Sequence, residues 1–109
     1  MLFVDELLKC LQEKLCRKAI VYSETSACIV IVCRRGDEND MLLLAVATHN
    51  NYIYAKMVPE KTHKFEWVCS NIFYNPCGLY AFAENVGELV RKLEEKIEMV
   101  EAMTRYCRV

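Results

Sequence analysis

The most reactive side chains in this 109-residue sequence belong to seven cysteines and two histidines. A cysteine nucleophile needs a nearby base and a depressed thiol pKa, and a zinc site needs paired ligands at short spacing. Cys10, Cys16, Cys28, Cys33, Cys69, Cys77 and Cys107 include no Cys-x-x-Cys pair, and His49 and His63 both fall in turn-like stretches. Solvated histidines are the plain reading, with no metal and no cofactor expected. Asp37, Glu38 and Asp40 share one turn but lack the ligand spacing of a calcium loop. Gly36, Gly78 and Gly87 are too scattered for a phosphate loop. The expectation is therefore a protein without a catalytic centre. Buried thiols are the simplest reading of cysteines at apolar positions. Disulfides are the rival, acceptable inside hyperthermophile cells, and the Glu, Lys, Val and Tyr content leans toward a thermophilic source.

A stronger pattern is aromatic. "YIYAKMV" puts Tyr52, Tyr54 and Lys56 on one face of a strand, and "KFEWV" puts Phe65 and Trp67 on a neighbouring one. Lys61 and Lys64 border that hairpin, and Arg34 and Arg35 lie near the adjacent turn. Rings on a sheet with cations around them make a stacking surface for single-stranded nucleic acid, at roughly 1–3 kcal/mol per stacked base. The competing reading packs these rings in the core. Tyrosines alternating with Ile53 and Ala55 favour one wet face, because phenol hydroxyls want water or a partner.

The elements that would position these residues follow from periodicity. Val4, Leu7, Leu8, Leu11 and Leu15 form the stripe of a helix over 3–19. Ile20–Tyr22 reads as a short strand. Strands are expected at about 27–34, 41–48, 52–58 and 64–73, an antiparallel meander, with Leu79–Phe82 a candidate fifth strand or a lead into the last helix. Two of these runs are apolar on both faces and must be covered on both. Asn85 and Glu88 mark the start of a C-terminal amphipathic helix over 85–107. The fold class is α+β, a single domain over 1–109. Val86, Val90, Leu93, Ile97 and Val100 recur three and four apart, which favours a homodimer seam; the same stripe suits packing on the chain's own sheet. No apolar run approaches the ~20 residues of a membrane span, and the acidic N-terminal start is unlike a signal peptide. A cytoplasmic protein is expected.

Fourteen basic against fifteen acidic residues give a net charge of −1. Binding to phosphate would then need a local groove, supplied by Arg34, Arg35, Lys56, Lys61 and Lys64. The helix followed by "ACIVIVCR" and "MLLLAVAT" resembles the start of the restriction-endonuclease-like core of archaeal Holliday-junction resolvases, whose acidic residue and Glu-x-Lys hold a divalent metal. Cys28, Ala45 and Ala47 occupy those places here, so this resemblance implies an inactive relative. In element order, over most of the chain, the sequence resembles ThermoDBP single-stranded DNA-binding proteins of hyperthermophilic archaea. That resemblance implies strand binding without catalysis and carries over no particular residue. The leading reading is a non-catalytic binder of single-stranded DNA or RNA. The alternative is a protein-interaction or regulatory domain of viral or mobile-element type, and the third an inactive nuclease-fold relative.

Overall fold

The computed structural model describes residues 3–36 and 40–103, so Thr104 and Cys107 of the expected last helix, and Asp37 and Glu38, lie outside the described residues. Helix α1 (Val4–Lys14) precedes strands β1 (Lys18–Glu24), β2 (Cys28–Arg34), β3 (Met41–His49) and β4 (Tyr52–Pro59). Helix α2 (Cys69–Tyr74), strand β5 (Leu79–Ala83) and helix α3 (Val86–Met103) follow. The strands form one antiparallel sheet in the order β1-β2-β3-β4-β5, so the α+β reading holds with five strands. Asn50 and Asn51, at φ 49° and 67°, make the tight β3–β4 turn, where asparagine tolerates the left-handed region.

Pairing β2 with β3 from Cys28↔Ala47 to Arg34↔Met41 sends their two apolar sets to opposite faces. On the first face Ile29, Ile31, Leu42, Leu44, Val46, Ala55 and Met57 join Leu7 and Leu11 of α1 and the apolar stripe of α3 in one core. Both long helices therefore cover the same face. Val86, Val90, Leu93, Ile97 and Val100, expected as a dimer seam, are sealed against their own chain. The reason is the width of the stripe. Leu89, also fully buried, broadens it beyond a two-position seam into a face suited to a sheet. Asn85 caps α3 by accepting from the Glu88 N–H at 2.8 Å, while the Glu88 carboxylate reaches the Glu84 N–H at 3.4 Å.

The second face holds a smaller core of Val30, Leu43, Ala45, Val58 and Ile72. Ile72 comes from the segment expected as a strand over 64–73, which is instead an extended connection followed by α2. After Pro59 the chain turns back across the sheet, with the Thr62 hydroxyl donating to the Pro59 carbonyl at 2.9 Å. The apolar second face needs a cover, and this segment supplies it. The edge of β4 is then paired by β5, whose buried Ala81 and Ala83 alternate with exposed Tyr80 and Phe82.

Both borders of the sheet are engaged. Lys92 and Lys96 of α3 donate to the Phe82 and Tyr80 carbonyls of β5 at 2.6 and 2.5 Å. On β1, the Ala19 N–H is taken by Gln12 at 3.3 Å, and a bulge interrupts the strand between Val21 and Ser23. Disulfides, the rival reading to buried thiols, link Cys16 to Cys33 and Cys28 to Cys69, and Cys77 is disulfide-bonded as well. Cys10 is a free, half-buried thiol.

Candidate functional site

Strand parity places Lys18, Ile20 and Tyr22 of β1 on the second face, beside Val30, Val32 and Arg34 of β2. Trp67, brought over these strands by the connection after β4, packs on the second core with its ring 5.1 Å from that of Tyr22 and tilted by 59°. Phe65 stands 64% exposed and Tyr22 57%. Together with Glu66 and Val68, these rings line an open concavity of about 510 Å³. Lys18 and Arg34 are exposed on the same face, and exposed Lys61 and Lys64 lie in the segment that leads into Phe65. Arg35, just past the end of β2, approaches Asp40 at 4.0 Å.

The connection that carries Phe65 and Trp67 is anchored by His63. Its ring is buried, not solvated as a turn histidine would be. Nδ1 lies 3.0 Å from the Asn75 amide nitrogen and Nε2 lies 3.1 Å from the Glu66 carbonyl. Those partners fit the neutral tautomer protonated at Nε2: the amide donates to Nδ1 and Nε2–H donates to the carbonyl. Asn75 Oδ1 accepts from the Cys77 N–H at 2.8 Å, so the network joins both ends of the segment. With both nitrogens occupied, His63 is a structural group rather than a base for a thiol. Burial and the nearby Glu13 carboxylate push the Cys10 thiol up, which further disfavours a thiolate nucleophile.

Tyr52 and Tyr54 lie elsewhere on the second face. Tyr54 is 6.0 Å from Phe82 and 5.4 Å from Phe73, ring to ring. With His49, Asn50, Tyr52 and Tyr80, the Tyr54 and Phe82 rings line a second cavity of about 460 Å³. The expected rings thus fall into two groups, and Tyr52 and Tyr54 do not share a platform with Phe65 and Trp67. Lys56 belongs to neither surface. It is 2% exposed, donates to the Asn75 carbonyl at 2.7 Å and lies 4.1 Å from the Tyr80 ring centroid. The returning segment covers the Lys56 end of the strand face that was expected to be wet, while Tyr52 at the other end stays exposed.

No match emerges from comparison with protein-family models, curated proteins or solved structures.

Cys28, Ala45 and Ala47, the places compared with nuclease metal ligands, do share the second face, but Cys28 is committed to Cys69. Among the described residues no group of three His, Cys, Asp or Glu side chains gathers around a point. Sequence reasoning missed Tyr22, Tyr80 and Phe82. The alternation of Tyr80 and Phe82 with two alanines repeats the Tyr52/Tyr54 pattern and was the available signal; Tyr22 had none, being turned outward at a bulge.

Burial lowers the Lys56 pKa from the ordinary lysine value. Below its folded pKa the buried ammonium carries a penalty absent from the unfolded chain. Stability therefore rises as pH climbs from that lowered value toward the unfolded pKa. Lys56→Met keeps the stem and removes the ammonium. The expected result is a loss of about 1 kcal/mol at neutral pH from the broken hydrogen bond and cation–π contact. Denaturant titration across alkaline pH should show the wild-type gain and its disappearance in the variant.

Proposed function

We propose that this chain is a non-catalytic binding domain for single-stranded nucleic acid, with bases stacking on Tyr22, Phe65 and Trp67. Phosphates run past Lys18, Arg34, Lys61 and Lys64. The observation that carries this reading is the gathering of three rings around one concavity on a sheet face that neither long helix covers, with exposed Lys18 and Arg34 on the same face and exposed Lys61 and Lys64 in the segment that leads into Phe65. Rings stack on bases of any sequence, and a local cationic rim supplies the phosphate term despite a net charge of −1. The resemblance in element order to ThermoDBP proteins points the same way.

A labelled, unstructured oligonucleotide titrated at roughly 50 and 200 mM salt tests the proposal, because phosphate contacts make affinity fall with salt. Trp67→Ala should weaken binding roughly 5- to 100-fold, the loss of one stacked base. Lys64→Ala should reduce the salt slope by about one unit. Tyr54→Ala, in the separate cavity, should leave affinity unchanged. Absence of binding at the lower salt would remove the proposal.

A protein-interaction role is the second reading. It is favoured by the Tyr52, Tyr54, Tyr80 and Phe82 cavity, where the nearby Lys56 ammonium is already engaged and the lining is largely aromatic. Retained oligonucleotide affinity in Tyr54→Ala together with loss in Trp67→Ala would separate the two surfaces.

A further inference from the structure

The two disulfides whose partners are both described differ in access and in what they hold. Cys16 and Cys33 are 2% and 0% exposed, sealed in the first core. Cys28 and Cys69 are both half-buried, and their bond ties the start of α2 to β2. Trp67 stands two residues before Cys69, and Phe65 four before it.

The rest of the returning segment is held unevenly. Its later part is pinned by fully buried Ile72, by the Lys56 bond to the Asn75 carbonyl, by the Asn75–His63 contact and by Gly78 lying close against β4. Its earlier part exposes Lys64, Phe65, Glu66, Val68 and Ser70. There the ties to the sheet are the packing of Trp67 and the Cys69 bond; the contacts of His63 and the Asn71 amide to the Glu66 carbonyl lie within the segment itself.

We infer that the Cys28–Cys69 disulfide is a redox gate on the Tyr22–Phe65–Trp67 surface, closed by oxidation into the strand-binding arrangement and opened by dithiol reductants. This inference rests on the nucleic-acid reading for its ligand, but not for the movement of Trp67. A thiolate of the dithiol attacks one sulfur, forming a mixed disulfide as the Cys28–Cys69 bond breaks and the departing sulfur takes a proton. The second thiol of the reductant displaces the remaining cysteine and closes into a cyclic disulfide. Two electrons and two protons pass from the dithiol to the protein. Cys69 is then free of β2, and residues 64–71 lose their covalent tie to the sheet. The tilted contact between Trp67 and Tyr22 loosens, and the platform for bases with it.

Trp67 is the sole tryptophan, so its emission reports the gate without any ligand. The full chain is treated with graded dithiothreitol, and mass spectrometry of alkylated protein identifies the form in which Cys28 and Cys69 alone have opened. In that form Trp67 emission should shift to the red, acrylamide quenching should rise about two-fold, and oligonucleotide affinity should fall at least ten-fold. Reoxidation should restore all three. Cys28→Ser with Cys69→Ser should mimic the reduced form; far-ultraviolet circular dichroism close to wild type checks that it folds. Unchanged emission and quenching on selective reduction would overturn the gate. Failure of the oxidised protein to bind any oligonucleotide would instead strike the functional reading, with the Trp67 response still deciding whether reduction opens the surface.

Discussion

Gly78→Ala is expected to destabilise the protein by about 3–5 kcal/mol, a large part of the 5–15 kcal/mol that holds a domain of this size together. Gly78 sits at φ +98°, a region that L side chains rarely adopt. A Cβ there would lie 2.3 Å from the Met57 carbonyl oxygen and 2.9 Å from a Val58 methyl. The obstructing oxygen is backbone in a central strand of the ladder, so it cannot swing aside as a flexible side chain would. Relief would require the returning segment to lift from β4, breaking the Lys56 bond to the Asn75 carbonyl and the entry into β5. Thermal unfolding followed by circular dichroism should show a melting temperature lower by more than roughly 10 °C. Gly87→Ala is the control. Its Cβ would meet only the Asn85 side chain at 3.6 Å, and in the first turn of α3 alanine should be neutral or stabilise by up to about 1 kcal/mol. Equal melting temperatures for the two variants would contradict this account of Gly78.

Removal of the buried Cys16–Cys33 bond, by replacing both residues with alanine, should cost about 3 kcal/mol. The link joins positions 17 residues apart, and closing a loop of that size in the unfolded chain accounts for most of the figure. Both side chains are sealed in the first core, so lost packing adds to it. The bond holds the end of α1 to β2, where the Arg17 N–H also donates to the Arg34 carbonyl at 2.7 Å. Equilibrium unfolding in guanidinium should show a lower midpoint, with oligonucleotide affinity at low denaturant kept, since the bond lies on the face away from Trp67. A midpoint within error of wild type would mean that burial alone secures this corner. The pair of variants also separates the roles of the two bonds: one secures the core, and the other shapes the exposed surface.

Much of the frame was legible in the chain, and the reasons are visible in particular residues. The double apolar parity of 27–34 and 41–48 announced a sheet needing cover on both sides. The Asn85–Glu88 spacing marked the start of α3. Where reading failed, long-range competition decided. Phe65, Trp67 and Cys69 alternate as a strand would, yet the uncovered Val30, Leu43 and Val58 drew Ile72 across the sheet, and the segment became a connection and a short helix. That return buried Lys56, whose position on a tyrosine-bearing strand looked like a phosphate contact. The same return split one expected surface into two. Cysteine pairing had no local signature, because Cys28 and Cys69 are 41 residues apart and meet only when the fold is complete. Leu89 is the residue that separates a dimer seam from a sheet-facing stripe, and a heptad reading passes over it.

The engaged margins of the sheet bear on how such a molecule tolerates crowding. An open ladder is a template: a stray extended chain can add to it, and copies can accrete into fibres. Here the amino groups that hold the Tyr80 and Phe82 carbonyls put positive charge on one flank, while a glutamine and a kinked backbone spoil the other. Growth by lateral addition is discouraged at either flank.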